Sequence, residues 1–141
     1  TRKLINKLPP AVHSRASLVG AVASNTAYQE CGDWLISVVE ELDKSRYYLA
    51  QLLTNLGLDI KYKIPTAGYF GWLDMRGLDS KLAMLGQTEL ADVLLSHGKI
   101  AVAPGKLYGP GGVGFIRINF ATSFEIIADA VNRIGKTIKS L

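Results

Sequence analysis

The segment Tyr108–Ser123, YGPGGVGFIRINFATS, constrains the fold more than any other, because a glycine-rich turn, a strand and a helix start follow one another without a gap. From Phe115 the residues alternate: Ile116, Ile118 and Phe120 fall on one face, and Phe115, Arg117 and Asn119 on the other. One arginine therefore interrupts an otherwise apolar strand. A planar guanidinium on a rigid strand, beside a flexible glycine loop, offers a carboxylate a bidentate fork. The same pattern also suits an arginine on the solvent face of a half-exposed sheet. The segment alone leaves both readings open.

At 141 residues the chain is long enough for one domain with a substantial core. A hydrophobic content of 48% with 20% charged residues is that of an ordinary soluble globular protein. Apolar runs fall short of the roughly 20 residues a membrane span needs, and no charged-then-apolar leader opens the chain, so no membrane partner is expected. The single cysteine, Cys31, excludes an internal disulfide and fits a reducing, cytoplasmic compartment. His13 and His97 have no ligand spacing, and no metal site is expected. The net charge of +4 gathers at the start, around Arg2, Lys3, Lys7 and Arg15, without the aromatic interleaving that nucleic-acid binding calls for. The chain opens without methionine on a basic, proline-bearing lead, and is expected to be a piece of a longer protein.

Between these ends the punctuation sets the order of elements. A first helix is expected from about Ala16 to Glu30, stopped by Gly32 and rich in small residues (Gly20, Ala21, Ala23, Ser24, Ala27) that contribute little burial. Asp33 is placed to cap a second helix to Leu56, with Gly57 past its end. Its length of roughly 36 Å is enough to link two bodies. The aromatic run Ala67–Arg76 predicts a strand, and Thr88 a cap for a helix to Ser96 with Leu90, Ala91, Leu94 and Leu95 inward. Ile100–Ala103 predicts a short buried strand ended by Pro104-Gly105. The last helix opens on Thr122-Ser123-Phe124-Glu125, a capping box, and Ile127, Ala130, Val131, Ile134, Ile138 and Leu141 mark one face. The fold class is α+β: a small, mostly antiparallel sheet packed against helices and preceded by a long linking helix.

Few of the remaining motifs carry chemistry. Gly135-Lys136-Thr137 mimics the tail of a phosphate loop, but position 130 is Ala and the tripeptide lies inside a helix. Glu40, Glu41 and Asp43, mixed with Lys44 and Arg46, read as a solvated helix face. Asp74 alternates with Phe70 and Trp72 and could reach a site, or sit at the surface near a turn. His97 suits a helix C-terminus. Read residue by residue, the chain offers one recognition arginine and no catalytic apparatus.

Four spaced stretches together carry a resemblance. They are SLVGAVASNTAYQECGDWL, GYFGWLDMR, AVAPG and YGPGGVGFIRINFAT. In that order they resemble the C-terminal part of a fold-type I, pyridoxal-phosphate-dependent aminotransferase of class I/II, closest to its cystathionine β-lyase-like branch. The likeness runs from about Leu8 onward. It implies residues 1–15 as a linker from a large N-terminal domain and 16–141 as the C-terminal small domain. It implies that Arg117, the arginine of the strand before the final helix, binds the substrate α-carboxylate. Tyr108 stands where the family usually has Phe. The turn Gly105–Gly112 would lie near the cofactor pocket, with no contact assigned to it.

The resemblance implies further that pyridoxal 5'-phosphate serves the full-length enzyme and is not bound by this portion alone. None of Lys44, Lys81, Lys99, Lys106 or Lys136 sits in a Schiff-base motif. The expected partners are an amino-acid substrate, the N-terminal cofactor-binding domain and, in the intact protein, a second copy. Transamination and β-elimination from a sulfur amino acid both remain open. The rivals are a stand-alone α+β ligand-binding or dimerisation module and, more weakly, a basic nucleic-acid-binding domain with salt-sensitive binding. Exposed apolar surface is expected along the first two helices.

Overall fold

The computed structural model describes residues 2–9, 17–78 and 89–141. Thr88, His13, Arg15, Lys81 and the expected helix start at Ala16 lie outside the described residues. The chain divides into two compact units, residues 1–39 and 40–141.

Among its described residues the first unit holds helices. A short turn, α1 (Arg2–Ile5), occupies the basic lead where no element was expected. Helix α2 (Leu18–Glu30) starts at Ser17, whose hydroxyl accepts from the Gly20 amide. It buries none of its residues, as expected of its small side chains. Leu18, Val22 and Tyr28 are exposed on it, and Trp34, Leu35, Ile36 and Val39 on the start of the next helix.

Helix α3 (Gly32–Asn55) is a single run of 24 residues. Its start corrects the cap expected at Asp33: Cys31 closes α2 through its amide to the Ala27 carbonyl, and its own carbonyl already accepts from Leu35. Gly32 thus opens a helix instead of only stopping one, and Asp33 lies in the first turn. The other end is as expected, with Gly57 at φ 65° just past the last turn, a left-handed conformation that favours glycine.

In the second unit four strands among the described residues form one antiparallel sheet. They are β1 (Lys61–Tyr62), β2 (Phe70–Asp74), β3 (Ala103–Pro104) and β4 (Phe115–Asn119), in the order β1-β2-β4-β3. Strand β1 was not foreseen; two residues are too few for a period to show. The strand expected at Ile100–Ala103 shrinks to Ala103–Pro104. Pro104 is tolerated there because β3 is an edge strand, where a missing N–H breaks no ladder on its open side.

Gly71 faces Ile118 and Leu73 faces Ile116, and all four are buried on one side of the sheet. Onto that side pack Leu49 and Leu53 of α3, Leu90, Val93 and Leu94 of helix α4 (Leu90–Ser96), and Ile127, Val131, Ile134 and Ile138 of helix α5 (Phe124–Lys139). At Gly71 a Cβ would come within 3.1 Å of the Leu49 side chain, so its absence lets α3 press onto the sheet. In α4, Val93 is buried and Leu95 is 55% exposed, which corrects the inward face given to Leu95. Its N-cap position is held by Glu89, without a side-chain capping bond.

Helix α5 begins one residue later than the expected box. The Ser123 hydroxyl, not that of Thr122, accepts from the Ile126 amide. Its apolar face is the one the 3–4 spacing marks, and Gly135 is buried within it, its absent Cβ leaving room for Leu56. The result is an α+β fold in which the described helices of the second unit pack on the side of the sheet opposite Arg117.

Candidate functional site

Arg117 lies on β4, paired with Trp72 of β2 on one flank and Ala103 of β3 on the other. Directly paired residues project to the same side of a sheet, so Phe70, Trp72, Asp74, Phe115, Arg117 and Asn119 share the side opposite the core. The half-buried guanidinium has its Cζ 4.0 Å from the centre of the Phe70 ring and 4.8 Å from that of Tyr108. Trp72 meets Tyr108 edge-on at 5.6 Å and stacks on Phe115 at 5.5 Å. The outer side of the sheet is therefore an aromatic platform with a cation seated on it.

Phe70 reaches Arg117 along the diagonal of the β2–β4 pair. Tyr108 comes from a loop, and two glycines explain how. Residues 105–108 and 110–112 form consecutive 3₁₀ turns that fold back on each other, with Gly105 and Gly112 in backbone contact. A Cβ on Gly112 would overlap the Gly105 carbonyl, and one on Gly105 would come within 2.8 Å of Phe115. Within the GPGG run it is Gly112 that serves close backbone approach, to Gly105. This turn carries Tyr108, whose ring lies over Arg117 and edge-on to Trp72.

A second arginine on this side is handled differently. Arg76 has its Cζ 4.9 Å from the Phe115 ring centre and holds Asp74 with two bonds, Nε to Oδ1 at 2.9 Å and a terminal nitrogen to Oδ2 at 2.7 Å. Those hydrogen bonds from Arg76 hold the Asp74 carboxyl down at about 2. Asp74 is thus a structural ion-pair member. Among the described residues the Arg117 guanidinium makes no hydrogen bond and no ion pair. Of the two cations, Arg76 is paired with a carboxylate and Arg117 is flanked by rings.

Arg46 corrects the solvated face assigned to its helix: it is 6% exposed. Its guanidinium donates to the carbonyls of Leu42, Pro65 and Gly68, the Pro65 bond being 2.9 Å, and touches the exposed Asp43 at 3.2 Å. Beside it Tyr62 is pushed up to about 12 by burial, a shift the Arg46 charge opposes. The acceptors of Arg46 are mostly backbone, so no side-chain spacing could have announced its burial. Lys44, by contrast, is exposed and paired with Glu41. His97 closes α4 as expected, with its amide on the Val93 carbonyl and its Nδ1 2.9 Å from the Ser96 hydroxyl.

Each described lysine is exposed, and Lys44 and Lys106 are shifted upward by hydrogen bonds to Glu41 and Glu89. Among the described residues no group of three or more His, Cys, Asp or Glu could hold a metal ion. No described helix is long and apolar enough to cross a membrane.

This sheet, its covering helices and the long helix before it define a class. Residues 4–134 match the family model for aminotransferase class I and II, and the chain belongs to that family. A Mycobacterium leprae relative is 30% identical over 142 residues, covering 95% of this chain and 35% of its own. The cystathionine beta-lyase PatB of Bacillus subtilis is 32% identical over 112 residues, covering 79% of this chain and 28% of its own. Among solved structures, cystalysin from Treponema denticola, which contains a pyridoxal 5'-phosphate cofactor, superposes with a TM-score of 0.76 at 25% identity, covering 88% of this chain and 31% of that one. The chain spans about a third of the length of the first curated relatives it matches.

Proposed function

We propose that residues 16–141 act as the small C-terminal domain of a pyridoxal-phosphate-dependent enzyme of amino-acid metabolism, with residues 1–15 as the link from a cofactor-binding N-terminal domain. The single observation that carries this reading is Arg117: a guanidinium on a rigid central strand, flanked by two aromatic rings, with no hydrogen bond or ion pair among the described residues. Its role is to grip the α-carboxylate of an amino acid and so fix where the substrate Cα lies. The cofactor and its lysine would be held by another part of the protein, since the described lysines do not suit it. This portion by itself is then inactive.

Of the two reactions, β-elimination from a sulfur amino acid is favoured over transamination by the name of the Bacillus subtilis relative. A cytoplasmic homodimer completes the proposal, in keeping with the family resemblance and the lone cysteine.

The test is Arg117→Ala in the enzyme that carries this chain. Losing a charged two-bond contact should raise KM for the amino acid on the order of 10- to 200-fold. The visible absorbance of bound cofactor should stay as in the unsubstituted enzyme. An unchanged KM would remove the assignment.

A further inference from the structure

We propose that Phe70 and Tyr108 are positioning residues that set the plane of the Arg117 guanidinium before substrate arrives, an inference that rests on the carboxylate role given to Arg117 above. An arginine side chain has four rotatable bonds above its planar head, and ordering it on binding costs affinity. Here two rings stand against that head, at 4.0 Å and 4.8 Å from its Cζ. Aromatic contact engages the π-surface of a guanidinium and leaves its in-plane N–H donors open. Those are the donors a carboxylate takes. A carboxylate neighbour would also orient Arg117, but would occupy the fork, as Asp74 does for Arg76. Aromatic flanks orient the cation without competing for its ligand.

The flanking rings are themselves braced. Phe70 lies 4.6 Å from Tyr69, centre to centre, and its strand is registered against β4 from Phe70 to Asp74. Tyr108 is held edge-on by Trp72, which in turn stacks on Phe115, and its loop is closed by the Gly105–Gly112 contact. The ring, not the hydroxyl, is the part of Tyr108 that this role uses.

The experiment uses the enzyme that carries this chain, with Phe70→Leu, Tyr108→Leu and Tyr108→Phe each made alone and in the Arg117→Ala background. Each leucine variant should raise KM for the amino acid roughly 3- to 10-fold with kcat nearly unchanged. Tyr108→Phe should restore the parent KM. In the Arg117→Ala background the leucine changes should add less than a factor of two, because they act through the arginine. A second readout needs no catalysis: the Arg117 Nε–Hε resonance should carry ring-current shielding that each leucine variant diminishes. Should Tyr108→Leu not fold, Phe70→Leu carries the same test.

If Arg117→Ala leaves KM unchanged, the carboxylate reading falls, and this inference with it. If Arg117→Ala raises KM while both leucine variants stay within twofold of the parent, the carboxylate reading stands and the positioning role is overturned. Equal leucine effects with and without Arg117 would also overturn it, since the rings would then be contacting substrate directly.

Discussion

The Arg46 guanidinium donates a 2.9 Å hydrogen bond to the Pro65 carbonyl, joining helix α3 to a loop 19 residues further along the chain. That loop leads through Gly68, which accepts from the same guanidinium, into Phe70 and strand β2. A buried cation on the helix thus ties down the loop that precedes the strand beside Arg117. Arg46→Met keeps the apolar stem and removes the donors. Urea unfolding of the 141-residue chain should show a loss of about 1–3 kcal/mol, the cost of a charged hydrogen bond and an unpaired carbonyl. A change under about 0.5 kcal/mol would mean the clamp is incidental.

Arg117→Lys separates charge from shape. An ammonium keeps the attraction for a carboxylate but loses the planar fork. KM in the enzyme should rise on the order of tenfold, between the parent and Arg117→Ala. Steady-state kinetics with one amino acid across the three proteins checks the order. A lysine variant equal to the parent would leave the fork without a role.

The two glycines that bring Tyr108 over the sheet should tolerate no side chain. Gly112→Ala puts a Cβ into the Gly105 backbone, which cannot swing away as a side chain could. Overpacking of this kind costs about 1–3 kcal/mol. It should also disturb the Trp72–Tyr108 pair, read as a change in near-ultraviolet circular dichroism. Gly111→Ala is the control, because nothing lies within 4 Å of where its Cβ would stand. Equal effects at the two positions would contradict the steric account.

Asp74 supplies a pH dependence. Its carboxyl is held at about 2 in the folded protein, first by the side-chain hydrogen bond from Arg76. An unfolded aspartate titrates near ~3.9. Because the folded value is the lower one, the stabilisation is present above about 4 and is lost as pH falls toward about 2. Arg76→Ala should move the Asp74 titration, followed by carbon NMR of its carboxyl, back up toward the ordinary range. It should also flatten the fall in stability across that window. A carboxyl still titrating near 2 without Arg76 would assign the shift to another cause.

Much of this fold is legible in the sequence, for reasons that differ by element. Strand β4 shows itself because its period of two separates buried Ile116 and Ile118 from Arg117 without reference to anything distant. Helix α5 does so because Ile127, Val131, Ile134 and Ile138 repeat at helical spacing on one covered face. Strands β1 and β3 stay hidden, being two residues each and defined by their partners. Leu95 misleads because a seven-residue helix is too short for its period to locate the buried face.

The class of fold, the face on which Arg117 stands and, through four ordered motifs, the family are legible along the chain. Those are properties of local alternation, glycine punctuation and motif order, which are written along the chain. Tertiary structure alone decided that Arg46 is buried, that Arg76 is neutralised by Asp74 while Arg117 has no ion pair among the described residues, and that Phe70 and Tyr108 flank Arg117. The physical reason is that a guanidinium's fate depends on which carbonyls, carboxylates and rings the folded chain brings within a few ångströms. Backbone carbonyls and loop-borne rings leave no periodic trace by which to foresee it.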